Sequence, residues 1–375
     1  MTSEGSQLIR AAVLHEVGAP LRVEEVELEA PRAGEVRVRV AAAGVCHSDY
    51  HYMTGDLVCP LPVVVGHEGA GWVEAVGAGV ERVRPGDAVA LMWRPRCGMC
   101  RFCIRGEPVL CERGRVQAES GGLPNDGTTR LRLDGQTVHH LMGVSCLAEQ
   151  VVVSEMSVVR IPERVPSAVA AITGCAVITG VGAVLNVAGA VAGSSMLVIG
   201  AGGVGLSALM GAELAGAHPI IVADVEPLRL ERARHLGATD VIDAGSHDMV
   251  EAAMALLPGG VDWALDAVGR PETLQQSIAC LRPGGTAIAV GLARVGEIAH
   301  VPINELVQRQ KRLVGSLYGS ANPQIDLPRL FELYLSGRLA LDELVGTQYP
   351  LVAVNEAFAA LEHDAVGRSV VLMAS

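Results

Sequence analysis

The run VIGAGGVG at 198–205 constrains the fold more than any other stretch, because it joins an apolar segment to a helix-like one through regularly spaced glycines. Gly200, Gly202 and Gly205 make a G-x-G-x-x-G turn. In such a turn the first glycine permits the reversal, the second admits a pyrophosphate against the backbone, and the third seats helix on strand. With 44 glycines in the chain the spacing alone is weak, so its surroundings must carry the argument. Strands are expected over 196–200, 220–224, 240–243, 262–269, 285–291 and 312–319, with helical stretches such as 226–237 between most of them. That alternation predicts an α/β, doubly wound parallel sheet of Rossmann type. Asp224 ends the second of these strands, 19 residues beyond Gly205. A carboxylate there accepts hydrogen bonds from an adenosine ribose and repels a 2′-phosphate, which selects NAD over NADP provided Arg229 does not turn toward a phosphate. Gly203 and Val204 in the turn, and Val268, Val290 and Leu292 at later strand ends, complete the expected cofactor-binding set.

The first part of the chain has another texture. From about residue 11 to 160, short β-rich runs such as EVRVRVAAAGV and EQVVVSEMSVVRI alternate with Gly and Pro turns, which suggests an antiparallel barrel or sandwich. A helix near 327–336 and a strand-like SVVLM at the end are expected to return to this domain. The division is therefore 1–176 with 320–375 for one domain and 177–319 for the nucleotide-binding one.

Nine cysteines need an explanation that a 375-residue chain with an ample core does not supply through disulfides. Cys97, Cys100, Cys103 and Cys111 form a C-x2-C-x2-C-x7-C array. Four thiolates on tight turns satisfy a tetrahedral zinc with no open position, so the site is structural; an iron–sulfur cluster is the rival. Cys46, His67 and Cys175 follow no spacing rule. Chemistry alone permits them a three-ligand zinc with an open fourth position, against the plain reading of Cys175 as a small core residue.

Composition removes other classes. A net charge of −12 with scattered basic residues provides no footprint for nucleic acid or an anionic membrane. The charge-free stretch 165–212 is long enough to span a bilayer, but its glycines, Pro166 and missing flanking belts fit buried strands and helices better. No secretory segment is apparent, so a cytoplasmic location is expected.

Taken in order, CHSDYH, GHEGAG, the four-cysteine lobe, TGCAVITGVGA and the glycine turn resemble the zinc-dependent medium-chain alcohol dehydrogenases over almost the whole chain. The resemblance implies a GroES-like β-barrel catalytic domain interrupted by the Rossmann domain, and two zinc ions per chain. It implies Cys46, His67 and Cys175 as catalytic zinc ligands, with Glu68 an occasional or outer one. Zinc then acts as a Lewis acid on an alcohol oxygen while hydride passes to NAD. By the same resemblance Ser48 and His51 relay the proton, Asp49 orients the ligands, and His47 and Arg368 contact the pyrophosphate. Trp93, Val116, Met142 and Leu292 are implied as the substrate pocket, an apolar set whose indole favours unbranched primary or flat aromatic alcohols. Arg115 keeps open a related activity, oxidation of a formaldehyde–thiol adduct; a non-catalytic zinc and nucleotide-binding protein is a more remote alternative. The interval between Cys111 and Cys175, rich in turn signals, goes in this family with a homodimer.

Overall fold

The structure is a computed structural model that describes residues 5–115, 120–363 and 367–373. The chain forms two compact units, one running to Cys175 and resuming at Asn322, the other Ala176–Ala321.

Alternating Val and Ala with polar residues builds the strands of the first unit: β1 (Gln7–Leu14), β2 (Arg22–Leu28), β3 (Glu35–Gly44), β4 (Val63–Val64), β5 (Glu68–Val76) and β6 (Ala88–Leu91). They are followed by β7 (Leu131–Leu133), β8 (Gln136–His140), β9 (Gln150–Ser154) and β10 (Val158–Arg160). Strands β1, β2, β7, β8 and β4 close a barrel. A second sheet runs β10-β6-β5-β3 and then takes in Arg368–Leu372 and Val345–Pro350 from the chain's end, while β9 also pairs with β3. Period-2 alternation turns Val36 and Val38 of β3 inward, while at the end of β1 and in β4 both faces are covered, so that Val13, Leu14, Val63 and Val64 are fully buried as well. A buried ion pair that sequence reading missed ties this unit together. Arg130, with no exposed surface, donates through Nε to Glu35 Oε2 (2.9 Å) and through Nη2 to Asp126 (2.8 Å).

In the second unit, β11 (Met196–Ile199), β12 (Ile220–Asp224), β13 (Asp240–Asp243), β14 (Val261–Asp266), β15 (Leu281–Ala289) and β16 (Arg312–Gly315) form one sheet ordered β13-β12-β11-β14-β15-β16. All its pairings are parallel. The order reverses between β11 and β14, so the sheet opens a crevice at the carboxyl end of β11, where doubly wound folds bind their ligands. The sixth strand is shorter than expected, because the chain leaves the sheet at Gly315 and forms a short 3-10 turn at Tyr318–Ser320.

The apolar run near the middle is helical over Ser167–Ala188, long enough to cross a membrane, with 83% of its apolar window buried inside the protein. Within it, residues Thr173–Val177 form a π-turn carrying Cys175. Such turns displace a side chain from its regular helical direction and recur at functional sites.

Candidate zinc centres and dinucleotide turn

Two strand ends and the π-turn meet at the first centre. Strand β3 runs out at Gly44, and Cys46 caps the helix His47–Thr54 that follows, its Sγ accepting from the Ser48 N–H at 3.4 Å. Strand β5 begins at Glu68, directly opposite Gly44, and His67 precedes it. The Glu68 carboxylate lies across Gly44: a Cβ there would stand 2.1 Å from Glu68 Oε2, so only glycine leaves the acid its place. Gly174 does the same for the helix bearing Cys175, since a Cβ at 174 would be 2.6 Å from the Leu91 carbonyl at the end of β6.

The result is a closed donor set. One ligand atom from each of Cys46, His67, Glu68 and Cys175 lies within 4.8 Å of the others, and all four residues are buried. His67 Nε2 is 3.4 Å from Cys175 Sγ, while Nδ1 sits 3.0 Å from the Asp49 carboxylate. The second carboxylate contact is the Gly66 N–H, also at 3.0 Å. Asp49 thus fixes the ring so that Nε2 faces the two sulfurs, the arrangement by which an outer carboxylate orients a metal-binding imidazole. Hydrogen bonding from Cys175 pulls the Cys46 thiol well below its ordinary value, and the same bond with burial raises Cys175. Burial opposes charge on His67, but the Asp49 and Cys46 charges outweigh it and raise its pKa. Two thiols, an imidazole and a supporting carboxylate suit zinc.

Glu68 lies in the ligand cluster, where the resemblance implies an occasional or outer ligand, and Arg368 stands beside it. Arg368 opens the strand that returns to pair with β3, and its guanidinium is buried. Its Nε donates to Glu68 Oε2 at 3.0 Å, and one Nη donates to Glu68 Oε1 and, at 3.0 Å, to Cys46 Sγ. The arginine expected at a pyrophosphate is therefore engaged with the ligand cluster, and Glu68 faces a fixed positive charge. Cys146, a cysteine without an assigned role in the sequence, lies behind the cluster. Its Sγ would be 3.2 Å from a Cβ on Gly66, and burial, with the Asp49 and Glu68 charges, pushes the thiol well up.

Around this centre, Trp93 presents its ring edge-on to His67, with centroids 6.1 Å apart and planes at 87°. Met142 is buried in a short turn with φ of 51°, the left-handed region that few unbranched side chains adopt. That turn is held by Ser145, whose hydroxyl accepts from the Leu141 N–H (2.9 Å) and donates to the Val64 carbonyl (2.7 Å). Val116 lies outside the described residues. On the helix after Cys46, His47 is exposed and Ser48 half-buried. His51 Nδ1 is 3.2 Å from Asp56 Oδ2, which also accepts from Thr54 Oγ1 at 3.0 Å.

The second centre is the cysteine lobe. The sulfurs of Cys97, Cys100, Cys103 and Cys111 lie within 4.8 Å of one another. Backbone N–H groups of Met99 and Cys100 donate to Cys97 Sγ (3.4 and 3.3 Å), and those of Cys97 and Gly114 donate to Cys111 Sγ (both 3.2 Å). Backbone N–H groups of Cys103 and Glu112 likewise push the Cys100 thiol down to about 6. Amide donors aimed at sulfur stabilise thiolates, the form that binds metal.

In the second unit the glycine turn has the form its spacing requires. Gly200 has φ of +93°, and a Cβ on Gly205 would stand 1.7 Å from the Gly200 carbonyl oxygen. A Cβ on Gly202 would meet nothing within 4 Å, so the space a phosphate needs is open there. Gly202 caps the helix Gly203–Ala215, in which Val204 occupies the first turn. Asp224 Oδ2 accepts from the Ala201 N–H at 2.6 Å and Oδ1 from Glu226 N–H at 2.9 Å; Arg229 is 4.0 Å away. Val268 and Leu292 are partly exposed on loops after β14 and β15, and Val290 N–H donates to the Asp266 carbonyl at 3.0 Å.

Comparison with known proteins agrees with this architecture. Residues 32–163 match the alcohol dehydrogenase GroES-like domain and residues 203–336 the zinc-binding dehydrogenase family. An NDMA-dependent alcohol dehydrogenase of Amycolatopsis methanolica is 39% identical over 368 residues, covering 97% of this chain and 98% of its own. Class-3 alcohol dehydrogenase of Myxine glutinosa is 38% identical, with 93% of each chain covered. Among solved structures, benzyl alcohol dehydrogenase of Acinetobacter calcoaceticus superposes with a TM-score of 0.92 at 33% identity, covering 98% of this chain and 100% of that one.

Proposed function

The chain belongs to the zinc-dependent medium-chain alcohol dehydrogenases, and from that premise we propose that it interconverts a primary aliphatic or aromatic alcohol and its aldehyde, using NAD and two zinc ions. The buried Cys46, His67 and Cys175 set, oriented by Asp49, carries this reading. When bound, zinc supplies Lewis acidity toward an alcohol oxygen, and nicotinamide exchanges hydride with the carbinol carbon.

The remaining work falls to side chains. Ser48 and His51 are three residues apart on one helix and so share a face. Ser48 Oγ takes the hydroxyl proton, and His51 carries it outward. With His51 Nδ1 held on Asp56, its Nε2 is the nitrogen free to exchange a proton with solvent. Trp93 against His67 narrows the pocket beside the ligands, and with Met142 it favours flat or unbranched substrates. The Asp224 carboxylate, already accepting an N–H from the glycine turn, supports NAD over NADP, since a 2′-phosphate there would meet a negative charge. His47 and the turn at Gly202–Gly205 bind the pyrophosphate.

A thiol adduct of formaldehyde is the second reading, supported by the exposed Arg115. Both are tested in one screen of primary, secondary and aromatic alcohols with NAD, NADP and NDMA as acceptors, and of formaldehyde with and without added thiol. Fast oxidation of simple primary alcohols supports the first reading; a formaldehyde rate that requires thiol, with simple alcohols poor, replaces it by the second. For assembly we propose a homodimer through β16, the strand that ends the sheet order of the second unit. Light scattering that finds a monomer or a tetramer refutes it. Nine cysteines free of disulfides support a cytoplasmic location.

A further inference from the structure

The chain's basic charge is carried by 28 arginines and a single lysine. That lysine is not on the surface. Lys311 precedes β16 with its side chain 1% exposed. Its Nζ donates to the carbonyls of Ile278 (2.8 Å) and Ala279 (3.4 Å) at the end of helix Pro271–Ala279, and to Glu305 Oε2 (3.0 Å). Three acceptors around one nitrogen match a tetrahedral ammonium, whereas a planar guanidinium spreads its donors over a wider fork. Lysine therefore stands where its geometry is required and nowhere else.

The two cations differ most in nucleophilicity. An ε-amine with pKa near 10.4 keeps a small unprotonated fraction at neutral pH, and its lone pair attacks an aldehyde carbon. A carbon–nitrogen bond forms, and the carbonyl oxygen then leaves as one water with the two amine hydrogens, so that aldehyde and primary amine give an imine with no change of oxidation state. A guanidinium stays protonated and has no such lone pair. Thiols outside the two metal centres are withheld as well. Cys146 and Cys280 are buried, and burial pushes half-buried Cys59 up to about 11.

We propose that this surface makes the protein refractory to the aldehyde its own site releases, and that the product is accordingly a small, amine-reactive monoaldehyde. The proposal rests on the alcohol dehydrogenase reading above. The test compares the holoenzyme with a variant carrying Arg22→Lys, Arg164→Lys, Arg234→Lys and Arg338→Lys, all exposed positions outside both ligand sets and the glycine turn. Each protein is incubated with formaldehyde, one portion with cyanoborohydride for intact-mass counting and one without it for residual activity and covalent oligomers. The parent should acquire adducts only at its N-terminal amine and keep its activity. The variant should gain adducts at the four new amines, form cross-linked species and lose activity several-fold faster. Equal inactivation rates, or extensive adducts on the parent, overturn the proposal; the single substitutions serve if the fourfold variant folds poorly. Adducts are counted by mass without any alcohol turnover, so a failed alcohol screen and a failed protection test are read separately.

Discussion

Replacing Asp49 by Asn tests the support beneath the catalytic centre. The aspartate is fully buried, and its carboxylate holds both His67 Nδ1 and the Gly66 N–H at 3.0 Å. Asparagine keeps the shape and one oxygen, so the Gly66 N–H retains an acceptor. What is lost is the charge-assisted bond to imidazole, worth about 1.5–3 kcal/mol. Removal of such an outer partner lowers metal affinity about 10–100-fold, equivalent to about 1.4–2.7 kcal/mol, and the two ranges overlap. Zinc retention during chelator titration, read by metal analysis beside thermal unfolding, should show one zinc per chain leaving at lower chelator concentration, with the second zinc and the fold retained. If the Asp49→Asn variant holds zinc as tightly as the parent with unchanged turnover, Asp49 does not orient the ligand and the reasoning fails.

Cys46→Ala should abolish turnover while folding persists; in contrast, Cys100→Ala should lower the melting temperature and release the other metal, because that ion's binding energy supports the fold. At the glycine turn the two alanine changes should separate. Gly205→Ala drives a Cβ to 1.7 Å from backbone and should cost several kcal/mol of stability, whereas Gly202→Ala enters open space and should weaken only NAD binding, measured by titration. Asp224→Ser should raise the NADP-to-NAD ratio of kcat/KM by removing the repelling carboxylate; an unchanged ratio means another group discriminates. His140 is buried, and burial pushes its pKa down to about 3. It stays neutral in the fold while the unfolded chain takes up a proton below about 6.5, so stability should fall by up to about 4 kcal/mol as pH drops from 6.5 toward 3. His140→Asn should flatten that slope in denaturant titrations; an identical slope assigns the acid sensitivity elsewhere.

The sequence made most of the second unit legible because its signals are local. Six apolar segments separated by helices, with a glycine turn after the first, specify a parallel, doubly wound sheet. The cysteine lobe was equally plain, since four ligands within fifteen residues leave few other uses. Cys46, His67 and Cys175 were legible only through resemblance, because β3, β5 and the π-turn converge through long-range pairing that no spacing encodes. The engagement of Arg368 with Glu68 and Cys46 was hidden for the same reason: it depends on which strand the chain's end chooses. Arg130 with Glu35 was hidden too, as a charged residue in a β-rich run reads as solvated until its burial is seen.

Arg368 begins the strand that lies beside β3, and it reaches the sulfur of Cys46, more than three hundred residues earlier. The second sheet of the first unit can therefore be completed only once residues 368–372 have been made. The unit Ala176–Ala321, continuous in sequence, can collapse well before that moment. Any truncation before Arg368 should leave β3 without the strand that pairs with Ala42–Gly44, and Glu68 without its buried arginine.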